Sequence, residues 1–248
     1  MRADSVIFRR EARAAFAAVS SYVLWAAFLA ASGWSLVEAL RRGEGGFVQV
    51  PALWAGAVAA WLPFLGALAT MRGFSAERAS GTIETLLTAP VREAQVVWGK
   101  FRAAFLVGLT GLVLAAAVPA ALLPRFAPSL AEGVSPWALG AATAALGVQL
   151  ALWTATGLFF SLLWEQPAAA AASSLFCCLL VPRAVTAAAA AWFPAAPLEA
   201  LGVSAREWAM AAADGLVLLT PWVCYGAAAW CLLFVTALLL EARRIRTG

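Results

Sequence analysis

Six stretches of about twenty apolar residues recur along this chain, each long enough to cross a hydrocarbon layer of about 30 Å as a helix. In such a medium a helix satisfies its own backbone N–H and C=O groups, which a loop or an open strand cannot do. The first stretch is Tyr22 to Leu40, ended by Arg41, Arg42 and a glycine-rich turn through Gly46. The second runs from Phe47 to Met71 without a charge, and a charged segment, 72–102, follows it. The third is Ala103 to Leu123, closed by Pro124 and Arg125; the fourth is Trp137 to Trp164. Glu165 and Gln166 make a short turn before Pro167, whose missing N–H costs nothing in a first helical turn. The sixth is Trp222 to Leu240, with Glu241, Arg243, Arg244 and Arg246 behind it. The expectation is an all-α polytopic transmembrane bundle of about six spans, one domain over 1–248. Hydrophobic residues at 64% and charged residues at 12% leave too little polar surface to cover a water-soluble fold of this size.

Charge placement orients the bundle. If the N-terminus, 72–102, the Glu165 turn and the C-terminus share one side, they hold 12 of the 17 basic residues. Basic residues concentrate in cytoplasmic segments, so both termini are expected in the cytoplasm. Trp137, Trp164, Trp192 and Trp222 near span ends suit interfacial belts. A cleaved leader is not expected, because the first apolar run is long and five similar ones follow. In segment 1–20, Phe8, Ala12, Ala15, Phe16 and Val19 share a helical face while Arg2, Arg9 and Arg13 fall elsewhere, which suits an amphipathic interfacial helix. Segment 193–221 carries Glu199, Arg206, Glu207 and Asp214 among apolar residues and reads as an outer-face segment with a short helix. Small residues from Gly140 to Gly147 and from Ala168 to Ser174 suit close helix packing. Arg183 is a possible membrane charge; it lies about 24 Å along the fifth span from Pro167, near enough to the far interface to snorkel.

Several chemistries are disfavoured. There is no histidine, and no metal-spaced or paired-carboxylate cluster occurs within a span, so no catalytic or metal-binding residues and no cofactor are assigned. Cys177, Cys178, Cys224 and Cys231 sit in apolar runs and read as small buried hydrophobes. The net charge of +4 forms no basic stripe interleaved with aromatics, so nucleic acid is not expected as a partner.

The segment after the second span is the most informative. Ile83, Leu86 and Leu87 stand at i, i+3, i+4 on one face of a short helix that Thr82 can cap, with Glu84 near its positive end. Pro90 breaks it and can open the next helix. That apolar face has no core of its own and must be covered by membrane or by another protein.

Here the chain resembles the ABC-2 family of ABC exporter permeases. The resemblance rests on Glu77-Arg78, Gly81-Thr82-Ile83-Glu84, Leu86-Leu87, Pro90-Val91 and Gly99-Lys100 in that order. The run from Met71 through Phe101 and the ending Leu240-Glu241-Ala242-Arg243-Arg244 are similar to the gliding-motility-type permeases. The resemblance implies a membrane subunit in the bacterial inner membrane that couples ATP hydrolysis to export. Its partners would be a cytosolic ATPase, which binds the ATP and Mg, and a second permease chain, identical or related. It also implies that Ser75–Ala89 acts as a coupling helix seated in the ATPase, with Ile83, Leu86 and Leu87 buried and Glu77, Arg78 and Glu84 setting register. The residues agree independently that no phosphate loop is present: Ala94 stands where its first glycine belongs and Phe101 follows Gly99-Lys100. A non-transporting anchor or force-transmitting module of the envelope would keep the same loop. An intramembrane enzyme or a channel would need ionisable clusters or filter residues that the spans do not contain.

Overall fold

The computed structural model describes residues 3–42, 50–81, 92–126, 135–192, 204–216 and 218–247. All regular structure among them is helical. In chain order the helices are α1 (Ala3–Ala17), α2 (Val19–Arg41), α3 (Val50–Thr70), α4 (Ser75–Ala79), α5 (Glu93–Phe126), α6 (Pro136–Leu163), α7 (Pro167–Trp192), α8 (Ala205–Ala213) and α9 (Leu219–Thr247). Six of them, α2, α3, α5, α6, α7 and α9, are long and apolar enough to cross a membrane.

Helix ends follow local chemistry. Ser135 caps α6 by accepting a hydrogen bond from the Ala138 N–H at 3.1 Å, with Pro136 in the first turn, so the fourth span starts one residue before Trp137. α5 runs through Pro119 and past Pro124 to Phe126 instead of closing at the second proline. A proline strips the carbonyl four residues earlier of its donor. For Pro119 that carbonyl belongs to Ala115, and the indole N–H of Trp54 on α3 donates to it at 3.0 Å. A second indole, Trp25 of α2, donates to the Val107 carbonyl at 2.9 Å. Both contacts tie neighbouring helices to α5 through groups that hydrocarbon cannot solvate.

The bundle is built around α3 and α6, whose mutual interface is the largest. In their most apolar windows 72% and 61% of residues are buried, against 17%, 22% and 28% for α2, α7 and α9, which are therefore peripheral. The central pair approaches closely because glycines face backbone. A Cβ added at Gly66 would lie 2.7 Å from Trp153 Cβ, and one at Gly157 would collide with the Thr70 hydroxyl. Within the small-residue stretch of the fourth span Ala142 and Ala145 are fully buried, whereas a Cβ added at Gly140 or Gly147 would meet nothing within 4 Å. Buried hydroxyls on α6 bond within their own helix, Thr154 to the Leu150 carbonyl at 2.8 Å and Thr156 to the Leu152 carbonyl at 2.9 Å.

Peripheral details differ from expectation in two places. Val19 belongs to α2 and is 76% exposed, so it does not continue the apolar face of α1. Cys178 is buried and Cys177 half-buried, but Cys224 and Cys231 lie on the exposed side of α9. Helix α8 is the short helix expected in the outer segment: Arg206 and Glu207 are exposed, Trp208 is buried against Trp222 and Tyr225, and Gln149, halfway along α6, donates to the Ala205 carbonyl at 2.7 Å. At the two ends of α6, Trp137 and Trp164 are exposed, as interfacial tryptophans are.

Replacing Gly157 with valine is expected to cost about 3 kcal/mol by overpacking the α3–α6 crossing. Gly147→Ala should stay within about 0.5 kcal/mol of the parent. Thermal unfolding of the purified chain in one detergent checks both.

Candidate functional site

The backbone leaves α3 at Thr70 and turns through 71–74, where the Gly73 N–H donates to the Thr70 carbonyl at 2.8 Å. Gly73 has no room for a side chain there, since a Cβ would lie 2.8 Å from Leu158 Cδ1 of α6. Phe74 is fully buried, and its N–H donates to Ser161 Oγ of α6 at 3.4 Å. Helix α4 then runs for five residues. Gly81 follows in the left-handed region at φ +70°, which a side chain makes costly, and so releases the chain from the helix.

Two basic side chains fasten this short helix to the bundle. Lys100, the one lysine beside 16 arginines, rises from α5 with 5% of its side chain exposed. Its Nζ donates to Glu77 Oε1 at 2.7 Å and to the Gly73 carbonyl at 2.9 Å, and reaches Glu11 Oε1 of α1 at 3.4 Å. The ammonium also lies over the Phe74 ring, 5.3 Å from its centroid. Arg78 points the other way. Its guanidinium donates to the Leu162 and Leu163 carbonyls at 3.0 and 2.6 Å, and to Glu165 Oε1 at 2.9 Å. Those carbonyls end α6 and lack intrahelical donors, so Arg78 acts as a C-terminal cap supplied from another helix.

Further contacts gather the same end of the bundle. Arg102 of α5 lies over the Phe8 ring of α1, 4.9 Å from its centroid, and Arg244 of α9 donates to Glu93 Oε1 of α5 at 2.6 Å. Helix α1, the α3–α4 turn, the start of α5, the Glu165 turn and the end of α9 therefore meet at one face. These are the segments that concentrate the basic residues.

Of the residues singled out in the sequence, Glu77, Arg78 and Gly81 belong to this cluster. Thr82, Ile83, Glu84, Leu86, Leu87, Pro90 and Val91 lie outside the described residues, as do 193–203 of the outer segment. Glu77 and Arg78 are 25% and 19% exposed and are engaged within the chain, so they hold the base of the element. Arg183 is exposed on α7, where it donates to the Leu179 carbonyl at 3.4 Å. The roles of Lys100, Glu11 and Glu165 were not read from the sequence. The available signal was compositional: a single lysine in an arginine-rich chain marks a place where a compact ammonium fits and a planar fork does not.

The clamp fixes a short helix to one end of a bundle with six candidate membrane spans. The family model described as ABC-2 family transporter protein matches residues 9–197, about three quarters of the chain. The chain belongs to the ABC-2 transporter family. It is a multi-pass membrane protein, the permease component of an ABC transport system. The ABC-2 match runs from within α1 to beyond α7 and takes in the whole Lys100–Arg78 clamp. A search of curated proteins returns no match.

Lys100→Met should strip the Glu77 carboxylate of its main partner. The expected cost is about 2–3 kcal/mol, less than for a fully buried pair because Glu77 keeps some contact with water. A lower thermal midpoint, with faster amide exchange across residues 73–81, checks this.

Proposed function

We propose that this chain is the membrane-spanning subunit of an ATP-driven exporter in the bacterial inner membrane, of the gliding-motility-type branch. It couples ATP hydrolysis by a separate cytosolic ATPase to movement of a substrate across the membrane. The observation that carries the proposal is the clamp: one short inner-loop helix is fixed simultaneously to α1 and α5 through Lys100 and to the end of α6 through Arg78. A load applied beyond Gly81 is therefore delivered to three elements of the bundle, where a slack loop would absorb it. The apolar triad Ile83, Leu86 and Leu87 supplies the surface on which such a load would act, with Thr82, Glu84, Pro90 and Val91 shaping it.

The concentration of basic residues in these segments supports a cytoplasmic position for this face and both termini, where an ATPase can reach it. The chain carries no phosphate loop, so the ATP and Mg belong to the partner. Two permease chains, identical or related, enclose the path. Closure of two ATPases around ATP shifts them between inward-open and outward-open arrangements, as one packed unit moves against another.

Leu86→Glu with Leu87→Glu is expected to abolish co-purification with its cytosolic ATPase partner, while the six-span bundle still inserts and stays monodisperse. Unchanged co-purification and unchanged stimulation of ATP hydrolysis would overturn the coupling assignment. Cysteine labelling at Thr82 from the outer side of intact cells would overturn the orientation.

A further inference from the structure

Helices α2 and α3 meet toward one end, where Trp61 Nε1 donates to Ser35 Oγ at 2.8 Å. Toward the clamp end they leave a groove of about 660 Å³ between them, backed by α5 and bounded by the last turns of α1. That volume lies within the usual range for small-molecule sites. The groove is apolar along its length, with Val23 and Leu24 on α2 facing Leu68 on α3 and Val107 on α5. Val23 and Leu68 are 62% and 38% exposed, so no described part of the chain covers this wall.

The mouth of the groove is polar. Arg72 and Ser20 stand there, with Glu11 and Lys100 further in. Charge is unevenly committed among these groups. Lys100 is held by Glu77, Glu11 and the Gly73 carbonyl, which draws the Glu11 carboxylate toward the ammonium. Arg72 is exposed and has no ion-pair partner among the described residues. The first turn of α2 beside it has no side-chain cap, which leaves its positive end available to an anion. Arg72 is therefore the uncommitted charge at the mouth, and the wall behind it is built from two of the candidate membrane-spanning helices.

We propose that this groove is a binding site for an anionic glycerophospholipid of the adjacent leaflet. One acyl chain lies along Leu24 and Leu68, and the phosphate is held by Arg72 at the mouth. A water-soluble ligand would leave Val23 and Leu68 uncovered, and a neutral lipid would leave Arg72 without a counter-charge. A lipid with a negative headgroup satisfies both ends at once, and basic pockets between transmembrane helices on the cytoplasmic side select such headgroups. The headgroup sits next to Gly73, so an occupied groove braces the α1–α2 elbow against the turn that carries α4. This site depends on the membrane placement of the bundle and not on the exporter reading.

The test is native mass spectrometry of the full chain titrated with phosphatidylglycerol or phosphatidylcholine. The parent protein is expected to retain phosphatidylglycerol preferentially. Arg72→Gln, at an exposed position where folding is not at stake, should reduce that preference about fivefold, the factor one basic residue contributes near an anionic surface. Ala27→Trp, which fills the groove, should reduce retention of both lipids while the thermal midpoint confirms a folded protein. Equal retention of the two lipids by the parent would overturn the proposal, as would an unchanged preference in Arg72→Gln. Displacement of the lipid by millimolar inorganic phosphate would assign the mouth to a free anion and overturn it as well.

Discussion

The ammonium of Lys100 is the interaction on which the face described here depends. A cation removed from water at the edge of a hydrocarbon layer is strongly disfavoured unless other groups replace its hydration shell. Here Glu77, the Gly73 carbonyl, Glu11 and the Phe74 ring do so. They come from α4, the α3–α4 turn and α1, so satisfying one charge fixes the relative positions of those elements and α5. Arg78 then extends the arrangement to α6 by supplying donors to carbonyls that its last turn leaves open. A five-residue helix has almost no stability of its own. It persists because both of its charged residues are anchored in the bundle, and that is what suits it to transmit a displacement instead of dissipating it.

Away from this face the bundle is held by a different requirement. Lipid offers no hydrogen bonds, so each proline inside a span leaves a carbonyl that a neighbour must satisfy. The Trp54 indole meets the carbonyl freed by Pro119, and the same contact sets how α3 lies on α5. Where no polar contact is made, close approach of backbones takes over, as at Gly66 and Gly157 between α3 and α6. The ABC-2 family match covers the first five of the six candidate spans.

Much of this was legible from residue order. The spans could be delimited because each apolar run must be long enough to cross the bilayer, and most of their ends fell within a few residues of the helices; α5 begins ten residues earlier than its apolar run, at Glu93, and α9 ends seven residues later, at Thr247. The Ser135 cap advances the start of α6 by one residue. The Glu77-Arg78 and Gly99-Lys100 fragments stood out as a pattern, yet nothing in their spacing said that Lys100 would meet Glu77 or that Arg78 would cap α6. Those contacts join residues 23 and 84 positions apart. Nor did the glycine pattern reveal which small residues are in contact, since Gly140 and Gly147 look as suitable as Gly66 and Gly157.

By itself the sequence determined that the chain is a membrane-embedded helical bundle with a basic face, and where the exceptional loop lies. Length, apolarity and charge are properties of each segment alone, and a bilayer reads them directly. Only the tertiary structure decided that α3 and α6 form the centre while α2, α7 and α9 surround them. In hydrocarbon, residues facing lipid and residues facing protein are both apolar. Hydrophobic periodicity therefore carries no inside and outside, and the order of packing is settled by shape, by a few polar contacts and by where glycine lets two backbones touch.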